Sequence, residues 1–229
     1  MTKPADIGAS RLAATIGTLN KALAVYRAQS KQRRPEFAVA YDELVSRLTA
    51  VYRQEIGPAA GQPMPSFLLP DQSGRLIALE ALLQNGPVVI SFNRGHWCPY
   101  CKLDLQALAN AHSQVTKLGA SIVSIMPETA KFTKNSIATN ELPFPVLSDI
   151  DLGYSLSLGM VFWVGTEVRK LYEAIGIDLA KFQGNEGYFL PMAAKFVIGQ
   201  DGLVKARHVN VEFRERVEPD ALIETLKRL

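Results

Sequence analysis

Cys98 and Cys101 are the only cysteines in a chain of 229 residues, and they stand three positions apart in Arg94-Gly95-His96-Trp97-Cys98-Pro99-Tyr100-Cys101. The apolar run Val88-Val89-Ile90-Ser91-Phe92 leads straight into them. A strand that delivers a Cys-x-x-Cys pair to the start of a helix is an architecture for dithiol redox chemistry. The free amides and dipole at the helix N-terminus stabilise a thiolate on the first cysteine, while the second lies one turn further in. Two other chemistries compete for such a pair. A structural zinc site needs four ligands, and only His96 and His112 lie nearby in sequence. Two inert buried thiols fit a mid-helix position better than a helix start.

Residues next to the pair admit chemical and plain readings side by side. Arg94, four residues before Cys98, either holds a cation over the thiolate or clamps an oxygen of the substrate, or is a solvated loop arginine. His96 is either a loop residue or an imidazole that tunes Cys98. His112 and His208 read as helix and strand surface.

The elements that must position the pair follow from periodicity. Residues 10–56 read as two amphipathic helices, one carrying Leu12, Ile16, Leu19, Leu23 and Tyr26, the other Phe37, Tyr41, Leu44, Leu48 and Val51. Pro35 suits the first turn of the second helix, and the polar stretch 29–34 is expected to form the turn between them. The apolar stripe of this hairpin needs cover, expected from its own domain and, as a less favoured alternative, from a second subunit in a homodimer. The Gly/Pro-rich segment 57–65 marks a boundary, dividing the chain into a helical extension, 1–57, and a main domain, 62–229.

Within the main domain, residues 66–69 and 75–77 predict a small β-hairpin, and 79–83 a short helix. The strand 88–92, the cysteine pair and a long helix to Gly119 come next. A buried strand at 121–125, a helix at 128–139, a strand at 145–147 and a helix after Asp149 follow. Residues 161–190 have no clear pattern. Residues 195–198 and 203–209, joined by Gly199-Gln200-Asp201-Gly202, predict a second hairpin, and 217–229 a closing helix. The order βαβ, αβ, ββα describes an α/β fold, a thioredoxin-like three-layer sandwich with a central mixed β-sheet plus the N-terminal α-helical hairpin.

Composition narrows the class. With 48% apolar residues the chain can bury one large core. Lys and Arg total 25 against 22 Asp and Glu, a formal charge of +3 with the basic residues dispersed, which does not argue for nucleic acid. The polar N-terminus, with no continuous apolar stretch after it, does not read as a secretory signal, and no segment has the run of apolar residues a membrane span needs. A cytoplasmic protein is expected, in which closely spaced cysteines are catalytic or metal-binding rather than structural.

The chain resembles the peroxiredoxin-like branch of the alkyl hydroperoxide reductase and thiol-specific antioxidant family, within the thioredoxin superfamily. The residues that carry the resemblance are Phe92-Asn93-Arg94-Gly95-His96-Trp97-Cys98-Pro99-Tyr100-Cys101, Pro65-Ser66-Phe67-Leu68-Leu69-Pro70-Asp71, Phe144-Pro145-Val146-Leu147-Ser148-Asp149, Phe196-Val197-Ile198 before Asp201-Gly202, and the run from Phe213 to Pro219. The resemblance implies a thiol-dependent peroxidase acting on hydrogen peroxide and organic hydroperoxides. Cys98 would form a sulfenic acid, Cys101 would resolve it to a disulfide, and thioredoxin, or glutathione, would return the electrons; no cofactor or metal is implied. The same dithiol also fits a thioredoxin-like protein disulfide oxidoreductase, and a redox-sensing interaction protein built on the helical hairpin is a third possibility.

Further site residues follow from the resemblance. Trp97 would shape access to Cys98 or form a lid over the core. Pro99 and Tyr100 would meet the substrate, as would Lys195, which either supplies a charge the family places at Ala193 or faces water at a strand end. Glu128 and Asp149, at strand ends, would carry protons. Three positions depart from the pattern. Gly95 and Ser91 stand where ordinary peroxiredoxins have threonine and proline. Ala193 stands where thioredoxin-like reductases have cis-proline and peroxiredoxins arginine. Phe92 stands where thioredoxins bury an acid.

Overall fold

Residues 17–52 and 55–229 are described by the computed structural model; Leu12 and Ile16 lie outside the described residues. The described residues begin with helices α1 (Leu19–Arg33) and α2 (Pro35–Val51), then β1 (Leu68–Pro70), β2 (Leu76–Ala78), α3 (Leu79–Leu83), β3 (Val88–Phe92) and α4 (Pro99–Lys117). It continues through β4 (Ser121–Met126), α5 (Ala130–Asn140), β5 (Val146–Ser148), a 3-10 turn (Ile150–Leu152), α6 (Gly153–Ser157) and β6 (Val161–Trp163). It closes with α7 (Thr166–Ala174), α8 (Leu179–Gln183), β7 (Phe189–Pro191), β8 (Ala194–Ile198), β9 (Val204–Val209) and α9 (Pro219–Leu226).

The central sheet has the order β5-β4-β3-β8-β9. β3 and β4 are parallel, as are β4 and β5, while β8 runs antiparallel to both β3 and β9. Every residue of β3 is buried, as a central strand covered on both faces must be. Its side chains alternate between two apolar layers. Val88, Ile90 and Phe92 join the layer that holds the cysteines, Tyr172 and the N-terminal hairpin, and Val89 joins Leu105, Leu108, Val115 and Leu222 on the other face. β3 therefore ends in the middle of the sheet, with the cysteine loop over its carboxyl end.

One sequence expectation changes. Residues 29–33 continue α1, because Gln, Lys and Arg are good helix formers, and Arg34 alone turns the chain; Pro35 then takes the first position of α2. Among the described residues the hairpin's apolar stripe is covered by its own chain, as preferred, except at exposed Val51: α1 packs on α4, and α2 on α7. Ring contacts fasten the seam, Tyr26 on Tyr100 with centroids at 5.1 Å and Tyr41 on Phe213 at 5.0 Å. The Glu218 carboxylate accepts from the free amides of Leu19 and Asn20 (3.1 and 2.7 Å), capping α1 from the opposite end of the chain. The patternless segment 161–190 holds the short antiparallel pair β6–β7 and helices α7 and α8.

Candidate active site

The loop from Phe92 to Cys98 is tied down at both ends. Asn93 donates its backbone N–H to Ile125 O (2.9 Å) and its side-chain amide to the hydroxyls of Ser91 (3.0 Å) and Ser124 (3.1 Å). At the far end Cys98 is the N-cap of α4, with extended backbone, and Pro99 occupies the first helical position, where its missing N–H costs nothing. The first cysteine thus sits at the positive end of a 19-residue helix.

Both sulfurs are buried, unbridged and surrounded by cations. Arg94, itself fully buried, donates Nη2 to Cys98 Sγ at 3.1 Å. Its guanidinium lies on the Phe213 ring, 3.7 Å from the centroid, with Trp97 at 5.4 Å and Tyr41 at 6.0 Å. The Nε and Nη1 atoms of Arg94 have no hydrogen-bond partner among the described residues. Burial pushes the Cys98 thiol up. The hydrogen bond from the Cys101 thiol, followed by the charges of Arg94 and Arg216, outweighs it and holds Cys98 well below the ordinary thiol range. Cys101 goes the other way, driven well upward by burial and then by the hydrogen bond to, and negative charge of, Cys98. One thiolate and one thiol, hydrogen-bonded, is the resting state this geometry sets up.

Around the pair, Trp97 packs edge-on against Tyr172 (centroids 5.0 Å), and the Tyr41 hydroxyl meets that of Tyr172 at 3.3 Å. These rings close the site from the hairpin side. Of the other sequence candidates, Tyr100 faces the hairpin seam between Tyr26 and Phe213 and is buried, while Pro99 is half-buried at the helix start. Lys195 neither faces water nor reaches Cys98: it is buried and ion-paired with Asp104 on the Cys101 side. Glu128, fully buried, accepts from the His96 backbone N–H (2.9 Å) and meets His96 Nδ1 at 2.7 Å, fixing the loop's outer wall. Asp149 accepts from the Tyr154 and Ser155 amides and the Ser155 hydroxyl, a helix cap for α6 and not a proton carrier. Gly95 explains one departure from the family pattern. Its φ is +141°, and a Cβ there would stand 2.5 Å from Trp97 Nε1 and 2.7 Å from Glu128 Oε1, so no threonine fits.

The AhpC/TSA family profile matches residues 60–207. The chain belongs to the AhpC/TSA family. Among relatives of this family, a chloroplastic peroxiredoxin Q of Populus jackii is 33% identical over 89 residues, 39% of this chain and 41% of that protein. The peroxiredoxin Q of Oryza sativa subsp. japonica is 32% identical over the same length. The match thus spans well under half of these relatives. In structure the AhpC/TSA chain is similar to peroxidoxin BcpB of Mycobacterium tuberculosis, with a TM-score of 0.59 and 21% identity over 76% of this chain and 99% of that one. A peroxiredoxin Q of Xanthomonas campestris gives 0.54 and 18%, over 71% and 90%. These similarities bear out the thioredoxin-like fold read from the order of elements.

Three groups at the site escaped the sequence reading: Asp104, Arg216, and the tyrosines 41 and 172. Asp104 carried a signal, an acid one turn beyond Cys101 among the core leucines of an amphipathic helix. Arg216 stands 115 positions from Cys101 and Tyr41 stands 131 from Tyr172, separations over which spacing says nothing.

Proposed function

We propose that this protein is a thiol-dependent peroxidase in which Cys98 is the peroxidatic residue and Cys101 the resolving one. The Cys98 thiolate attacks the nearer oxygen of hydrogen peroxide or an organic hydroperoxide. The O–O bond breaks, the sulfur becomes a sulfenic acid, and the other oxygen leaves as water or alcohol after taking a proton. The Cys101 thiol then condenses with the sulfenic acid, giving a disulfide and water, and a thioredoxin dithiol, or glutathione, reduces the disulfide by exchange. The reading is of a cytoplasmic, reducing setting.

Arg94 carries this reading. It fixes the thiolate with one nitrogen at 3.1 Å and keeps two buried donors, Nε and Nη1, without a partner. Those donors suit the peroxide oxygens, whose negative charge grows as the O–O bond breaks. They stand in for the threonine hydroxyl that Gly95 excludes. Burial of Cys98 under Trp97, Tyr41, Tyr172 and Phe213 supports a substrate the size of a hydroperoxide over a folded protein's disulfide.

The Cys-Pro-Tyr-Cys spacing favours the second reading, a protein disulfide oxidoreductase. The two part in one experiment: rapid mixing of the reduced protein with hydrogen peroxide and with an organic hydroperoxide, followed by tryptophan fluorescence, beside insulin disulfide reduction. The peroxidase reading expects fast oxidation abolished by Cys98→Ser and little insulin reduction. Slow peroxide oxidation with brisk insulin reduction overturns it in favour of the second.

A further inference from the structure

On the side of Cys101 away from Arg94 lies a buried charge cluster that peroxide attack does not use. Arg216 Nη2 donates to Cys101 Sγ at 3.7 Å, and its Nε stands 3.4 Å from Asp104 Oδ2. The other Asp104 oxygen is ion-paired with Lys195. Arg216, Asp104 and Lys195 are all buried, and they come from three separate parts of the fold: the segment after β9, helix α4 and strand β8. Two cations and one carboxylate leave one net positive charge facing the second sulfur. Charges so placed in a core are costly as a stability device, and an apolar trio of the same volume would serve packing as well or better. Their position against Cys101 gives them a chemical use.

We propose that Arg216 is the catalytic cation of the resolving half-reaction, acting on Cys101 as Arg94 acts on Cys98, with Asp104 and Lys195 as the residues that position it. The proposal rests on the peroxidase reading above. In the step concerned Cys101 Sγ–H gives up its proton, the thiolate attacks Cys98 Sγ, and the Cys98 S–O bond breaks. The departing hydroxide takes up one proton as water. The sulfenic sulfur is reduced as the Cys101 sulfur is oxidised, so no outside oxidant or reductant enters.

The arrangement also times the step. In the reduced protein burial, and after it the hydrogen bond to Cys98 and that residue's negative charge, keep Cys101 protonated, and Arg216 and then Arg94 oppose them. Peroxide converts that thiolate into a neutral sulfenic acid. The part of the restraint that Cys98 supplied disappears while burial and the cations stay, and the Arg94 backbone N–H remains aimed at Cys101 Sγ at 3.4 Å. The groups that then govern ionisation of Cys101 are Arg216, Arg94, Asp104 and Lys195, with His208 directly across from Lys195 on β9 and held neutral more readily by burial. Cys101 therefore ionises more readily once there is a sulfenic acid to attack.

The test separates the two steps in one turnover of the full chain. Reduced protein is mixed with hydrogen peroxide, oxidation is followed by fluorescence, and sulfenic acid is trapped with a cyclic 1,3-diketone and read by intact mass. In wild type the disulfide forms with little trapped adduct. In Arg216→Met both steps slow, but unequally. Oxidation falls by at most about threefold because Arg94 still holds the Cys98 thiolate. Ring closure falls by about tenfold or more, with its pH profile moved upward by about one unit and the adduct accumulating at Cys98. Arg216→Lys recovers part of the closure rate. Lys195→Met, which leaves the whole Asp104 charge on Arg216, shifts the profile in the same direction and serves if Arg216→Met does not fold. Closure within threefold of wild type in the folded variants, or an unmoved pH profile, overturns the proposal. A wild type that forms no sulfenic acid at Cys98 overturns the peroxidase reading itself, and this inference with it.

Discussion

Arg94 and Cys98 are joined by one 3.1 Å hydrogen bond inside a site closed to water, and there a single guanidinium does far more than it would at a surface. Burial by itself would leave Cys98 a poor nucleophile, so the cation and the Cys101 thiol supply its reactivity. Replacing Arg94 with methionine keeps the volume and the apolar stem while removing the charge. Because the thiolate is the reacting species, the wild-type rate with peroxide should stay flat through neutral pH and fall only as pH drops through the depressed Cys98 value. In Arg94→Met that fall moves upward, and oxidation at pH 7 slows by about tenfold for each unit by which the variant's value passes 7. The reduced fold should lose stability as well, since the substitution removes the cationic partner of a buried thiolate. Stopped-flow rates across pH, beside urea unfolding, check both halves.

Helix α2 and its partner α1 form the roof of the site, and their hold on the body is spread over named contacts. Phe37, Leu44 and Leu48 are buried, Tyr41 meets Tyr172, and Arg214 reaches Asp42 at 2.7 Å. Leu44→Ala should cost about 2–5 kcal/mol and loosen the roof. Cys98 should then react faster with a bulky aromatic disulfide reagent, by a larger factor than with hydrogen peroxide; equal factors would show that the roof does not gate access. Legibility in the sequence followed the range of the contacts. Strand β3 and helix α3 were readable to the residue because an unbroken apolar run and a short Leu-rich turn sit between Gly/Pro breaks. Strands β6 and β7, three residues each, exist because they pair with each other across 30 positions, and α7 buries only Val168 and Tyr172, too little to print a period. The same distinction runs through the site. Arg94, Cys98 and Cys101 share one loop and were found together. Lys195 was found for its charge but read as meeting the substrate or facing water, since no local pattern ties it to Asp104.

For the molecule as a whole, redox state and stability are linked. The reduced form carries a thiolate that the fold stabilises and the unfolded chain does not; the oxidised form has lost it and gains only a very short cross-link. The sign follows from the depressed Cys98 pKa. Its contribution to folding is complete above the unfolded thiol value, partial at neutral pH, and lost as pH falls through the folded value. The reduced protein should therefore melt a few degrees above the oxidised protein at pH 7, with the gap closing in acid; calorimetry of both forms across pH reads it directly. The same closing contacts bear on how the protein is made. Phe213 beneath Arg94, Arg216 against Cys101 and Glu218 at the head of α1 are all synthesised long after the cysteine loop they surround. A nascent chain that has reached only the cysteines holds them without this surround, and the second sulfur is armed only after Arg216 has emerged.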